Sequence, residues 1–169
     1  MSEITHNLNW GAIELFAMDV DGVLTDGSIY VSSDGSETKR FSIIDGLGLV
    51  MLREAGVKIA WISGRESEAT DRRAEELKVD FVLQGRKDKA LVLSSLLKEL
   101  GLKPEQAVYM GDDTIDIEAI ELAAIGVAVP EAQPEPLASA NYTTQRAGGN
   151  GAVREVCNHI LAARSQLAK

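Results

Sequence analysis

The sequence predicts an α/β domain with a Rossmann-like, doubly wound, mostly parallel sheet. Three observations carry that expectation. Short, near-continuous apolar runs recur along the chain, as strands buried on both faces require. Segments with helical apolar spacing lie between them, and strands alternating with helices build parallel βαβ units. Acidic residues directly follow two of the runs, where open α/β sheets bind their ligands.

The first run is Leu15-Phe16-Ala17-Met18. The rhythm then breaks. Gly27-Ser28-Ile29-Tyr30-Val31 and Glu37-Thr38-Lys39-Arg40-Phe41 flank Ser32-Ser33-Asp34-Gly35, and Asp-Gly between β-prone stretches signals a hairpin, expected at about 27–41. A helix follows with Leu47, Val50, Met51 and Ala55 on one face. Val57-Lys58-Ile59-Ala60-Trp61-Ile62 reads as the next strand. A weaker helix over 66–77 carries Ala69, Arg73, Ala74 and Leu77. Phe81-Val82-Leu83 is the third strand. Leu91, Leu93, Leu96, Leu97 and Leu100 then mark a helix that Gly101 stops.

Ala107-Val108-Tyr109-Met110 is the fourth strand and Ile125-Gly126-Val127-Ala128-Val129 the fifth. Ala147-Gly148-Gly149-Asn150-Gly151 reads as a flexible hinge. The last helix places Val153, Val156, Cys157, Ile160 and Leu161 on one stripe. Residues 1–169 thus read as one domain with a flexible C-terminal segment over about 146–169.

Composition narrows the function. At 169 residues, with 45% apolar residues, the chain is long enough for its own core and too apolar for disorder. Its net charge of −9 disfavours nucleic acid and anionic membrane surfaces as partners. A small anionic substrate stays compatible, because one metal ion or a few basic residues reverse the sign locally. The single cysteine, Cys157, allows no internal disulfide and suits a reducing, cytoplasmic compartment. MSEITHNLNWG lacks the basic and apolar regions of a signal peptide, and no apolar run approaches the ~18 residues of a membrane span. His6 and His159 are too isolated to suggest a metal site, and Cys157 and Trp61 read as core.

The chemistry concentrates at strand ends. Asp19 and Asp21 stand two residues apart after the first strand, in Asp19-Val20-Asp21-Gly22-Val23-Leu24-Thr25. Close carboxylates repel, so they need a cation or a raised pKa; the plain alternative is a polar turn. Gly111-Asp112-Asp113-Thr114-Ile115-Asp116 follows the fourth strand. Asp116 suits the cap of a first helical turn, and one of Asp112 and Asp113 could also be a cap. Asp112 and Asp113 with Asp19 make an all-oxygen set that suits Mg²⁺ with open positions. Ser63 and Lys89 lie beyond the second and third strands, where a hydroxyl and an ammonium could hold a phosphate. Alone, Ser63 reads as a helix cap and Lys89 as a solvated lysine. The order of acid pair, serine, lysine and acid pair at successive strand ends is the specific signal.

These motifs resemble those of the haloacid dehalogenase superfamily phosphatases, over most of the chain. The likeness is greatest to the small capless members that hydrolyse 3-deoxy-D-manno-octulosonate 8-phosphate and related nonulosonate 9-phosphates. Supporting strings are Asp45-Gly46-Leu47-Gly48 and Gly148-Gly149-Asn150-Gly151-Ala152-Val153-Arg154-Glu155. The resemblance implies an aspartyl-phosphate on Asp19 and proton transfer by Asp21. It implies Mg²⁺ held by Asp19, the Asp21 carbonyl and Asp112, with Asp113 in support. Ser63 and Lys89 would hold the phosphoryl oxygens. A sugar-acid carboxylate suits a bidentate arginine: Arg65, whose place after Ser63-Gly64 resembles the octulosonate group, and Arg73, if the 66–77 helix points its first half at the crevice. It places the enzyme in bacterial lipopolysaccharide biosynthesis. One departure stands out: the family commonly has an arginine just before the Asp-Gly pair, where this chain has Ile44.

The interval from Asp21 to Ser63 is filled by the hairpin, one helix and one strand, leaving no room for a cap domain. Phosphoryl transfer benefits from excluding water, so another subunit is expected to cover the site, with the hairpin as assembly element. Similar proteins form tetramers this way, with a neighbour's tail near the site. The competing reading from another class is a phospho-accepting signalling module. Such modules place their acidic pair before the phosphorylated aspartate, and no second acidic cluster follows their lysine. A catalytically dead scaffold is disfavoured by four intact motifs.

Overall fold

The computed structural model describes residues 8–167; His6 and the remainder of the first seven residues lie outside them. Its first half comprises β1 (Leu15–Met18), β2 (Tyr30–Val31), β3 (Glu37–Thr38), α1 (Ile43–Glu54), β4 (Lys58–Ile62), α2 (Glu68–Leu77) and β5 (Phe81–Leu83). Then come α3 (Lys89–Leu100), β6 (Ala107–Gly111), α4 (Ile117–Leu122), β7 (Ile125–Ala128), α5 (Pro134–Ser139), β8 (Tyr142–Thr143) and α6 (Ala152–Leu167).

All four residues of β1 are buried, because strands flank it on both sides and helices cover both faces. The main sheet runs β5-β4-β1-β6-β7-β8, with every pairing parallel. From β1 the chain builds outward to β5, then returns and builds outward to β8. That reversal leaves a crevice outside the carboxyl ends of β1, β4 and β6. The expected fold class is therefore the observed one.

Alternation along β1 divides the core. Phe16 and Met18 face the layer of α1 and α6, with Leu49, Leu52, Val153, Val156, Cys157 and Ile160. Leu15 and Ala17 face α3 and α4, with Val92, Leu93, Leu96, Leu97 and Ile120. Each fully buried aliphatic side chain contributes about 1.5–3 kcal/mol, which fixes the sheet as the rigid frame of the crevice. Among the described residues, no helix is long and apolar enough to cross a membrane.

The hairpin is a short antiparallel ribbon, pairing Tyr30 with Thr38 and Val31 with Glu37. Gly35 supplies the positive φ of its turn, and Tyr30 and Val31 are exposed. It adds no strand to the main sheet.

Two regions differ from the sequence expectation. On α1, Leu47 and Met51 face outward, while Asp45, Gly46, Gly48, Leu49 and Leu52 are buried. The reason is close packing on α6. A Cβ on Gly48 would press into Arg154 and Cys157. The Asp45 carboxylate accepts the Gly151 N–H at 3.1 Å and the Arg154 N–H at 2.8 Å, at the start of α6. The stretch read as a hinge is held by specific bonds. The Gly149 N–H donates to the Val23 carbonyl at 2.9 Å, and a Cβ on Gly148 would strike the Gly22 carbonyl. Those glycines permit close approach of two backbones. The short elements α4, α5 and β8 carry too little periodicity to be read from the sequence.

Candidate active site

The loop leaving β1 is tightly wound. The N–H groups of Val23, Leu24 and Thr25 all donate to the Val20 carbonyl. Thr25 Oγ1 accepts from the Gly22 and Gly27 N–H groups at 3.2 and 3.1 Å. Gly22 has φ +88°, and the Asp112 carboxylate fills the place where its Cβ would be. The end of β1 and the end of β6 therefore touch, and Asp19, Asp21 and Asp112 meet in one cleft of about 260 Å³. Ser63, Gly64, Arg65 and Asp113 are also in its wall.

Ser63 follows β4 and is buried. Its N–H donates to the Leu83 carbonyl at 2.9 Å, and its Oγ accepts the Arg65 N–H at 3.2 Å, leaving the hydroxyl proton free for the cleft. It is not the cap of α2; Ser67 holds that position. Lys89 opens α3 and its side chain is wholly buried. Its ammonium lies 3.0 Å from Asp19 Oδ1 and 2.7 Å from Asp116 Oδ1, so it is no solvated lysine.

Asp116 is more than a helix cap. Its Oδ1 accepts from Lys89 and from the Tyr109 hydroxyl, both at 2.7 Å. Its Oδ2 accepts the N–H groups of Asp112 at 3.2 Å and Asp113 at 3.1 Å. All its lone pairs are used, and it aims both the lysine and the loop that carries Asp112. Asp113 caps the turn Thr114–Asp116 by accepting the Thr114 N–H at 2.6 Å.

The charges are unbalanced. Burial, with Asp116 adding repulsion, raises the Asp19 pKa to about 6, although Lys89 pulls it down. Burial and the Asp19 and Asp116 charges raise Asp112 to about 8. Burial opposes the charge on Lys89, yet Asp19 and Asp116 hold its pKa above the ordinary value. Oxygens of Asp19, Asp112 and Asp116 lie within 4.8 Å of one another, and the buried Asp112 Oδ1 has no hydrogen-bond partner. An excess of buried carboxylate with an orphaned oxygen is what a hard divalent cation relieves, so these residues fit Mg²⁺.

The structure brings together Asp19, Asp21, Ser63, Lys89, Asp112, Asp113 and Arg65. Arg65 stands at the rim, half-exposed, 2.7 Å from Glu37 of β3 and 3.9 Å from Asp21. Arg73 is not brought in. It lies over Gly46, paired with Glu76 at 2.6 Å and donating to the Ser42 carbonyl at 3.3 Å. Its place on α2 turns it toward α1 rather than the crevice. Ile44 also lies away from the cleft, lining a separate groove of about 920 Å³ with Arg146, Arg154 and His159. That groove is the larger cavity, but the converging acids are in the smaller one. Two residues of the site carried no sequence signal of their role. Asp116 was visible only as a cap, and Lys39 of the ribbon, which pairs with Asp21, belonged to no motif.

The model of the haloacid dehalogenase-like hydrolases matches residues 81–156. The chain is 40% identical to the 3-deoxy-D-manno-octulosonate 8-phosphate phosphatase of Escherichia coli strain K12 over 155 residues, covering 92% of this chain and 82% of that one. It is similar in structure to the phosphatase of that name from Moraxella catarrhalis, solved with magnesium ion, phosphate ion and a KDO molecule. There the TM-score is 0.93 at 45% identity, with 99% of this chain and 95% of that chain covered. The cobalt-bound deoxy-D-mannose-octulosonate 8-phosphate phosphatase from Haemophilus influenzae gives a TM-score of 0.89 at 34% identity, covering 93% and 92%.

Proposed function

The chain belongs to the haloacid dehalogenase-like hydrolases, and we propose that within that family it hydrolyses 3-deoxy-D-manno-octulosonate 8-phosphate to the free sugar acid and phosphate. One observation supports this above the rest: Asp19, Asp21, Ser63, Lys89 and Asp112, drawn from widely separated segments, converge at the carboxyl ends of β1, β4 and β6. Relatives bearing that activity's name cover the chain almost end to end.

In this reading, an Asp19 carboxylate oxygen attacks phosphorus and the bond to the sugar oxygen breaks. Asp21 gives its proton to that oxygen, so the sugar leaves as an alcohol. Asp21, now a base, takes a proton from water, which attacks the aspartyl-phosphate and frees Asp19 with release of inorganic phosphate. Lys89 and the Ser63 hydroxyl donate to the phosphoryl oxygens, and Lys89 stays charged because Asp19 and Asp116 hold it so. Asp19, the Asp21 carbonyl and Asp112 would hold Mg²⁺, with Asp113 in support. When bound, the ion offsets the negative charge of the phosphoryl group. Arg65 would meet the sugar-acid carboxylate, exchanging Glu37 for it.

The proposed setting is cytoplasmic lipopolysaccharide biosynthesis, by a homotetramer joined through the ribbons. Exposed Tyr30 and Val31 support self-association, as does the outward stripe of Ile43, Ile44 and Leu47 on α1. Light scattering at working concentration is expected to give a tetramer mass; a monomer mass sinks this part. The activity is tested by phosphate release with Mg²⁺ from the octulosonate 8-phosphate, nonulosonate 9-phosphates and hexose phosphates, with Asp19→Asn as control. Preference for the octulosonate is expected. Preference for a nonulosonate would move the substrate and keep the chemistry. No release from any ester by folded, metal-loaded protein would remove the enzyme reading.

A further inference from the structure

Asp21 has a partner that the reaction scheme above does not use. Lys39 stands just past β3, and its side chain is fully buried although it belongs to an exposed ribbon. Its ammonium donates to Asp21 Oδ2 at 3.0 Å and lies 2.7 Å from Oδ1, without hydrogen-bond geometry to that second oxygen. A further donation goes to Thr70 Oγ1 of α2 at 3.3 Å, and Glu37 Oε1 is 3.9 Å away. Thr70 is itself fully buried.

A buried ammonium is costly unless its donors are used, and this one is used mainly by a single carboxylate. Apart from this ammonium, the cationic group nearest the Asp21 carboxylate is Arg65, 3.9 Å from Oδ2. The ammonium stands against both oxygens, 2.7 Å from the buried Oδ1 and 3.0 Å from Oδ2, and so fixes the plane of the carboxylate. Thr70 holds the ammonium from the side of α2, so the carboxylate is referenced to the scaffold through two contacts. Glu37 is pinned in turn by the Ser67 hydroxyl at 2.8 Å and by Arg65 at 2.7 Å, which ties the root of the ribbon to the cleft rim.

We propose that Lys39 is a positioning residue, holding the Asp21 carboxylate in the orientation from which it meets the leaving oxygen. The proposal rests on the reading of Asp21 as the proton donor. Its consequence is a dependence on the leaving group. Departure of a sugar alkoxide needs the proton, and departure of p-nitrophenolate, a weak base, does not. Because kcat/KM covers only the steps through leaving-group departure, it separates the two cases without interference from later water attack.

The test compares kcat/KM for the octulosonate 8-phosphate and for p-nitrophenyl phosphate in full-length protein with saturating Mg²⁺. Lys39→Met is expected to lose about 10²-fold on the sugar ester and to stay within about 3-fold on the aryl ester. Lys39→Arg should recover part of the loss. Thr70→Val, which keeps size and shape and so guards against misfolding of Lys39→Met, should show the same selectivity at about 10-fold or less. Equal losses on both esters, or no loss on either, overturn the proposal. Asp21→Asn is measured alongside. Selective loss there but not in the Lys39 and Thr70 variants refutes the positioning role alone. No selectivity in Asp21→Asn refutes the proton-donor reading itself, and the proposal with it.

Discussion

Asp19 and Asp21 are two residues apart, and each rests on one buried lysine, yet the two supports are built from different material. Lys89 comes from the first turn of α3, packed on the sheet, and ends in the buried Asp116–Tyr109 pair. Asp19 beside it is almost fully enclosed. Lys39 comes from a ribbon of two short strands that has no core of its own, and Asp21 keeps a fifth of its side chain exposed. A nucleophile must stay at one place against a charge that hardly changes sign, and a rigid, dry frame suits that. A group that gives and takes protons must meet an alcohol and then water, and a more open mounting suits it. The supports differ in solvation in the sense that the two proposed tasks require.

Measurements can break this contrast. Asp19→Asn is expected to cost on the order of 10⁴-fold or more on every ester, aryl or alkyl, since no other group replaces the nucleophile. A residual rate within tenfold of the native one would place the bond-forming step elsewhere. Lys89→Met should cost stability as well as activity. It leaves Asp19 and Asp116 as uncompensated buried charges, and breaking such a pair costs about 3–5 kcal/mol. A thermal melt shows it, and an unchanged Tm would mean that the enclosed side is no stiffer than the ribbon side.

The acid cluster supplies a pH test. Asp19 and Asp112 have pKa values raised from 3.8 to about 6 and about 8, so the fold binds their protons more tightly than the unfolded chain does. That stability is complete below about 3.8 and disappears as pH rises through about 6 and about 8. In a chelator, Tm should fall between pH 5 and pH 8, and the gain from added Mg²⁺ should be largest at pH 8. A flat chelated profile would contradict the crowding of charge at Asp112. The smallest effects separate the two arginines. Arg65→Ala should raise KM for the sugar acid about 10-fold with little change in kcat, as loss of ground-state binding does. Arg73→Ala should leave KM within about 2-fold, because the guanidinium lies over Gly46 and away from the cleft.

Much of the rigid side was legible in the sequence. Asp19, Ser63 and Asp112 each follow a buried strand and Lys89 the half-exposed edge strand β5, and in this class of sheet strand ends meet at one crevice. The ribbon was legible as a hairpin from Asp34-Gly35. Its service to the site was not, because Lys39 reads as one more charged residue until the fold buries it. Asp116 was ambiguous for a related reason: a carboxylate in a first turn is equally a cap or a hub, and only Tyr109 and Lys89 arriving from other elements decide it. The buried face of α1 is not legible, because apolar spacing points to Leu47 and Met51, whereas Gly46 and Gly48 pack inward by virtue of being small. Arg73 was placed by helical register, which cannot tell which neighbour its side of α2 meets.

The glycines before α6 have a further consequence, for the order in which the protein is made. The loop with Asp19 and Asp21 is braced by a backbone bond from Gly149, and Asp45 of α1 is bonded to Arg154, 109 residues farther along. The ribosome therefore releases that loop well before the segment that braces it. Until the late segment arrives, the carboxylate pair belongs to a loop with one side unsupported, and loop closure over so long an interval delays the contact that fixes it. The glycine pair ties the shape of the first loop to a segment synthesised only after every strand of the sheet.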